Sequence, residues 1–353
     1  MSENKIQMLT KRILLIALAS ATIVSCKKNQ PKPENEQQVQ VLGYTQTNQA
    51  TYDNHFVWSK NEVKSYPKLN LSNDLILFGH AEGSDIYLAQ NGSYWKNNSK
   101  TDLFQTGGIT TSVAYKYYNN TVGALVRKPA QDPAGIFDYS IMEGNTTVFT
   151  VAGNAQNRYE FKDFLKLGNT YYLLGYLNSP NQQSIIYSRT GSSVTVIVLN
   201  TSPNENFQPI KFSASNSMFY ILGYINRNGT LHAAVLKLDQ DGGNKSITEL
   251  NVPTNVVLYD LLAEGTNVHV TGWEPKDNSG SYYAFYVKNN QKVSLSTKQS
   301  RAMQLLKYKD DIYIAGLEFE PNQTYKLWKN GVEYGVLKTA DNKPIVPLQL
   351  FLK

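Results

Sequence analysis

Six apolar runs in this chain close on a glycine followed by another, mostly large, residue. They end in Leu42-Gly43-Tyr44, Phe78-Gly79-His80, Leu174-Gly175-Tyr176, Leu222-Gly223-Tyr224, Thr271-Gly272-Trp273 and Ala315-Gly316-Leu317. A degenerate seventh stands at Val122-Gly123-Ala124, and the glycine spacings are 36, 44, 52, 48, 49 and 44 residues. A repeat of that period, with several strands in each unit, constrains the fold more than any other feature of the sequence.

Each unit reads as four short strands. A first apolar strand, such as Phe164-Leu165-Lys166-Leu167, meets the glycine strand through a tight polar turn, Gly168-Asn169. A longer polar loop follows, then an aromatic strand ending in a turn, as in Leu327-Trp328-Lys329-Asn330-Gly331, Tyr94-Trp95-Lys96-Asn97, Phe285-Tyr286-Val287-Lys288-Asn289 and Val57-Trp58-Ser59-Lys60-Asn61. A fourth strand, Lys292–Leu295 or Glu333–Leu337, completes the unit. Past the first 25 residues no window carries a capped helical stripe, so helix content is expected near zero.

A four-stranded sheet cannot cover both its apolar faces alone, whereas sheets stacked radially bury them against one another. The first glycine strand lacks a preceding strand, and the chain ends in one with nothing after it, Pro347–Lys353. The expected fold is therefore all-β: a β-propeller of seven four-stranded blades over 39–353, closed by the C-terminal strand in the first blade. Six blades, with 106–160 irregular, or two packed sandwiches are the alternatives.

The N-terminus is read as an address. Lys11 and Arg12 precede twelve apolar or small residues, Ile13–Val24, which as a helix span about 18 Å, short of a roughly 30 Å hydrocarbon core. Ile23-Val24-Ser25-Cys26 follows, and it resembles a bacterial lipobox. Residues 1–25 are read as a lipoprotein signal peptide, Cys26 as the lipidated residue, and 26–38 as a flexible tether. Lys27 and Lys28 stand where an inner-membrane retention signal would carry Asp, and no acidic surface-export run follows. The expected location is the outer membrane, periplasmic face, with the membrane as partner through lipid on Cys26. Cys26 is the only cysteine, so the rest of the chain has no thiol for a disulfide, thiolate metal site or cysteine nucleophile. The formal charge of +6 includes +2 from the signal, and no block of five basic residues occurs; nucleic acid is not expected as a partner. With its Trp-Lys-Asn-Gly turn the repeat resembles that of uncharacterised propeller lipoproteins of Bacteroidota, a likeness of pattern over 39–353 that implies no activity.

Catalytic signatures are absent: no Gly-x-Ser-x-Gly, His-Glu-x-x-His, phosphate loop or dinucleotide fingerprint occurs. His55, His80, His232 and His269 never fall at metal-ligand spacing, and Asp239-Gln240-Asp241-Gly242-Gly243 lacks the later calcium ligands, so it reads as a hairpin turn. No metal or cofactor is expected. Asp53, Asp132, Asp277 and Glu318 fall after glycine strands, in loops expected on one rim. Tyr52 and Tyr282, beside amide side chains, could stack on a neutral sugar, and His55 stands close by. These seven are the candidate binding residues. The function expected is a non-catalytic binding or scaffold module for a glycan, peptide or envelope protein. The alternative is a carbohydrate-active hydrolase or lyase using rim carboxylates.

Overall fold

The computed structural model describes residues 39–352 except 49–50, 61, 67–76, 83, 98, 105–109, 119, 131–135, 179–181, 201–205 and 277–279. Every regular element among the described residues is a strand, and the strands form seven antiparallel four-stranded sheets. Blades 2 to 7 are simple meanders over 78–102, 111–151, 159–198, 206–249, 257–294 and 300–336. Blade 1 takes its second, third and fourth strands from Val39–Asn48, Thr51–Trp58 and Val63–Tyr66. Its first strand is Val346–Leu352, which pairs antiparallel with Val39–Tyr44. The chain is a seven-bladed β-propeller.

The core is divided among the blade interfaces, because neither face of a blade is left for solvent. Seven buried apolar clusters occur among the described residues, each joining two successive blades. This explains why the second strands read as continuous apolar runs. Leu173 packs toward blade 3 while Leu174 packs toward blade 5, and Ile221 and Leu222 divide in the same way between blades 4 and 6. Both are 0% exposed in each pair, so alternation disappears where both faces are buried.

The repeat glycine answers to a bulge. In blades 4 to 7 the first strand inserts one extra residue against the second, opposite Gly175, Gly223, Gly272 and Gly316. The bulge drives a carbonyl oxygen (Glu160, Gln208, Val257, Arg301) onto the glycine, well inside the 3.0 Å that a Cβ keeps from its neighbours. Two of the seven segments depart from this phase. Gly79 lies in the first strand of blade 2, Phe78–Glu82, whose ladder with Asp85–Gln90 has no bulge. In blade 3 the bulge faces Val126, and Gly123 stands three residues earlier.

The Lys-Asn turn is an amide cap. Asn97, Asn289 and Asn330 adopt φ of 53, 46 and 50°, a left-handed conformation that asparagine tolerates. Each side-chain oxygen accepts the N–H of the second residue of its blade's second strand, Ile86, Val268 or Ile312, over 2.8–2.9 Å. Each side-chain nitrogen donates to Asp85, Asn267 or Asp311. In blade 1 the backbone of Ser59 and Glu62 closes the turn instead.

His269 is 2% exposed between blades 6 and 7, with Nδ1 2.6 Å from the Tyr286 hydroxyl. Burial, aided by Lys288, lowers its pKa to about 4. The unfolded chain takes up this proton near 6.5, so between those values the unfolded state binds more protons. The contribution is complete above about pH 6.5 and is lost as pH falls toward 4, by at most about 3 kcal/mol. The melting temperature is expected to fall through that window, and to fall less in a His269→Gln chain. Parallel pH profiles for the two proteins would refute it.

Candidate functional site

The first strands line a central channel, because a ring of blades presents its innermost strands to the axis. A cavity of about 330 Å³ opens there and touches all seven blades, from Phe78 and Lys116 through Asp163, Lys211 and Asp260 to Gln304 and Leu348. The residue just past the bulge faces a ladder partner on the second strand, and in blades 4 to 7 it is polar: Asp163, Lys211, Asp260 and Gln304.

Three of these four bind the next blade. Asp163 Oδ2 accepts the Phe212 N–H of blade 5 at 3.2 Å, and its Oδ1 accepts the Phe164 N–H at 2.9 Å. Lys116 of blade 3 also lies 2.9 Å from it. Asp260 repeats the arrangement, accepting Leu261 N–H and, from blade 7, Leu305 N–H, each at 3.0 Å. Gln304 accepts the Leu350 N–H of blade 1 at 3.1 Å and donates to the Leu348 carbonyl. Gln349 then reaches His80 of blade 2 at 3.0 Å. The channel wall is thus a polar seam running from blade to blade.

Lys211 is different. It makes no hydrogen bond among the described residues, yet Asp163 and Asp260 act on it from either side. Burial works against its ammonium, but the two carboxylates outweigh that and hold its pKa above the ordinary lysine value. Burial raises the pKa of Asp260, against Lys211 and the two N–H donors. Tyr259 and Leu77, 45% and 47% exposed, line the same cavity and give it an apolar share.

None of this seam was among the residues expected from sequence. Its signal is a regular one: Asp163, Lys211, Asp260 and Gln304 each stand twelve positions before the glycine of their own blade. No two are near each other in sequence, so only the phase of the repeat could have grouped them.

Antiparallel order puts the starts of first and third strands and the ends of second strands at one end of the ring, and those of the expected residues that the structure describes fall there. Tyr52, Asp53 and His55 lie on the third strand of blade 1, which pairs with its second strand (Tyr52 opposite Gln46, His55 opposite Tyr44), rather than in a loop. Their side chains are outside the described residues, as are Cys26, Asp132 and Asp277 entirely. Tyr282 opens the third strand of blade 6 and meets Trp273 edge-on, centroids 4.2 Å apart.

Glu318 departs from its expected place in a loop: it ends the second strand of blade 7, Asp311–Glu318, and is 5% exposed. It pairs with Lys326 at 2.6 Å and accepts from Ser296. Burial would raise its pKa, but Lys326 and Ser296 overcome that and lower it. Tyr282 and Glu318 therefore belong to neighbouring blades at one end, the second as an internal ion pair. The Asp239–Gly243 segment forms the expected turn, with Asp241 accepting from Gly243 N–H at 2.9 Å and Gly242 at φ 89°. Among the described residues no cluster of three or more His, Cys, Asp or Glu is placed to hold a metal ion.

The outer edge of blade 4 is apolar. Its fourth strand, Ser193–Val198, exposes Val194, Val196 and Val198 at 48, 42 and 36%, while Ile197 packs inward. It carries no charged residue, whereas the fourth strands of blades 1, 2, 5, 6 and 7 each carry at least one.

No family model matches the chain, and no curated protein does. Solved structures do. Acylaminoacyl peptidase of Pyrococcus horikoshii matches with a TM-score of 0.53 at 9% identity, over 87% of this chain and 51% of that one. A puromycin hydrolase S511A mutant matches at 0.54 and 8%, over 87% and 51%. The β-propeller domain of the Trilobed protease from Pyrococcus furiosus matches at 0.52 and 9%, over 87% of this chain and 94% of that one. This chain spans about half the length of the first two. At such identities the likeness is one of fold. The last domain is described as having an open velcro topology. Here the seam between chain ends is a paired ladder.

Proposed function

We propose that the protein is a lipid-anchored envelope propeller, tethered through Cys26 to the periplasmic face of the outer membrane, that binds a glycan, peptide or protein partner without transforming it. The observation that carries this reading is the engagement of the channel carboxylates. Asp163 and Asp260 each accept two backbone N–H groups, one of them from the next blade. A carboxylate fixed in a blade-to-blade seam is a poor acid or base, because taking or giving a proton breaks the seam. Rigid blades carrying loops of varied sequence at one end suit recognition.

The test is a thermal-shift screen of the whole chain against a polysaccharide panel, read beside reducing-sugar and unsaturated-product assays. A melting shift without product is expected. Product would replace this reading with that of a hydrolase or lyase. A protein partner is the second reading, favoured by the valine edge of blade 4, since an uncharged exposed strand is a template for another chain. Silence across the glycans, with capture of an envelope protein that Val196→Lys abolishes, would establish it.

A further inference from the structure

Arg301 is the second residue of the first strand of blade 7, Ser300–Tyr308, at the end of the ring that holds Tyr282. Its guanidinium lies 4.9 Å from the Trp273 ring centroid and 5.2 Å from that of Phe319, between blade 6 and its own blade. Tyr282 buttresses Trp273 edge-on. Arg301 donates no hydrogen bond among the described residues, and its Nε is buried without a partner. Arg127, which also stacks on a ring and also has a buried Nε, differs in having the Tyr139 hydroxyl for a partner.

A guanidinium stacked on aromatic rings is held in place, with the N–H donors at its edge left for an acceptor. That is the preorganised fork that matches a carboxylate through two parallel N–H bonds. Lys298 lies near enough to act on Glu318 in the same quarter, and Lys276 stands over the Tyr283 ring. Aromatic rings and several cations gathered at one end of the ring suit a polymer of sugars bearing repeated carboxylates. A peptide C-terminus would offer a single carboxylate to several cations.

We propose that Arg301, clamped by Trp273 and Phe319, reads the carboxylate of an acidic, uronate-containing glycan. This rests on the binding reading above. The probe is a galacturonate hexamer, compared with its fully methyl-esterified form, titrated into the whole chain by calorimetry. The acid form is expected to bind, and the neutral ester to bind about 10- to 100-fold more weakly. Arg301→Lys keeps the charge but loses the fork, and is expected to weaken the acid form by a similar factor and leave the ester unchanged. Arg301→Gln, with its melting temperature checked against the unmodified chain, guards against misfolding of one variant. Equal binding of acid and ester, or undiminished binding by both folded variants, overturns the proposal and leaves the binding reading standing. So does failure of the acid hexamer to bind while a neutral polysaccharide shifts the melt. Failure of every glycan overturns this proposal together with the glycan reading and leaves the protein-partner reading.

Discussion

Gly175→Ala is expected to destabilise the propeller by about 3 kcal/mol or more, a loss of roughly 6–12 °C in melting temperature. The added Cβ would collide with the Glu160 carbonyl oxygen and the Phe161 Cα, both backbone atoms of the bulged first strand. Backbone in a paired ladder cannot rotate away as a flexible side chain does. The chain must therefore give up the bulge or part the two strands. Losing the bulge would shift the register that puts Asp163 opposite Leu174, and with it the contacts to Lys116 and Phe212. Gly191→Ala is the control. It has φ of 58° but nothing within 4 Å of the added atom, so only the left-handed strain remains, about 1 kcal/mol. Calorimetric melts of the two variants decide the matter. Equal losses would mean that the repeat glycines serve turns and flexibility, and that the carbonyl contact is unimportant.

That contact also explains what sequence could and could not reveal. Seven blades were legible because each second strand is buried on both faces and so reads as an apolar run, and because five glycines mark five bulged ladders. The phase failed where the physical cause failed. Blade 2 has no bulge between its first two strands, and the glycine nearest in sequence, Gly79, sits in its first strand, with a Cβ direction pointing at Leu42 and Leu348. Gly123 makes room for the Tyr118 ring, a different reason for the same residue.

The candidate site was less legible. Sequence points to polar residues in loops, since loops are where binding residues collect. The channel is lined instead by strand residues such as Lys211, Asp260 and Gln304, whose neighbours in sequence are apolar or aromatic, as in Tyr259-Asp260-Leu261. Glu318 failed as a loop residue because the second strand of blade 7 extends as far as it, and its side chain turns in to the buried Lys326 of the third strand. Arg301 carried no motif at all; its partners, Trp273 and Phe319, come from two different blades.

Removal of residues 346–353 is expected to abolish the cooperative fold. The strand Val346–Leu352 supplies more than a ladder to Val39–Tyr44. Leu350 fills the cluster between blades 7 and 1, and Phe351 fills the cluster between blades 1 and 2. Gln304 of blade 7 holds its backbone at Leu348 and Leu350, and Gln349 reaches His80 of blade 2. Loss of one buried leucine costs about 2–5 kcal/mol and of one buried phenylalanine about 3–5, before any hydrogen bond is counted. Together these approach the whole stability of a typical domain, about 5–15 kcal/mol. Deletion would also uncover Val41 and Leu42, each 0% exposed, on a strand with an unpaired edge. The truncated chain is therefore expected to lose its near-ultraviolet circular dichroism and sharp melt, and to bind a hydrophobic dye. A synthetic peptide of residues 346–353 should restore both signals in a concentration-dependent way, because an agent that binds only the folded ring stabilises it by mass action. A truncated chain that still melts cooperatively within a few degrees of the intact one would show that blades 2 to 7 hold the ring without this closure. The seam through Gln304, Gln349 and His80 would then be a consequence of the ring rather than its cause.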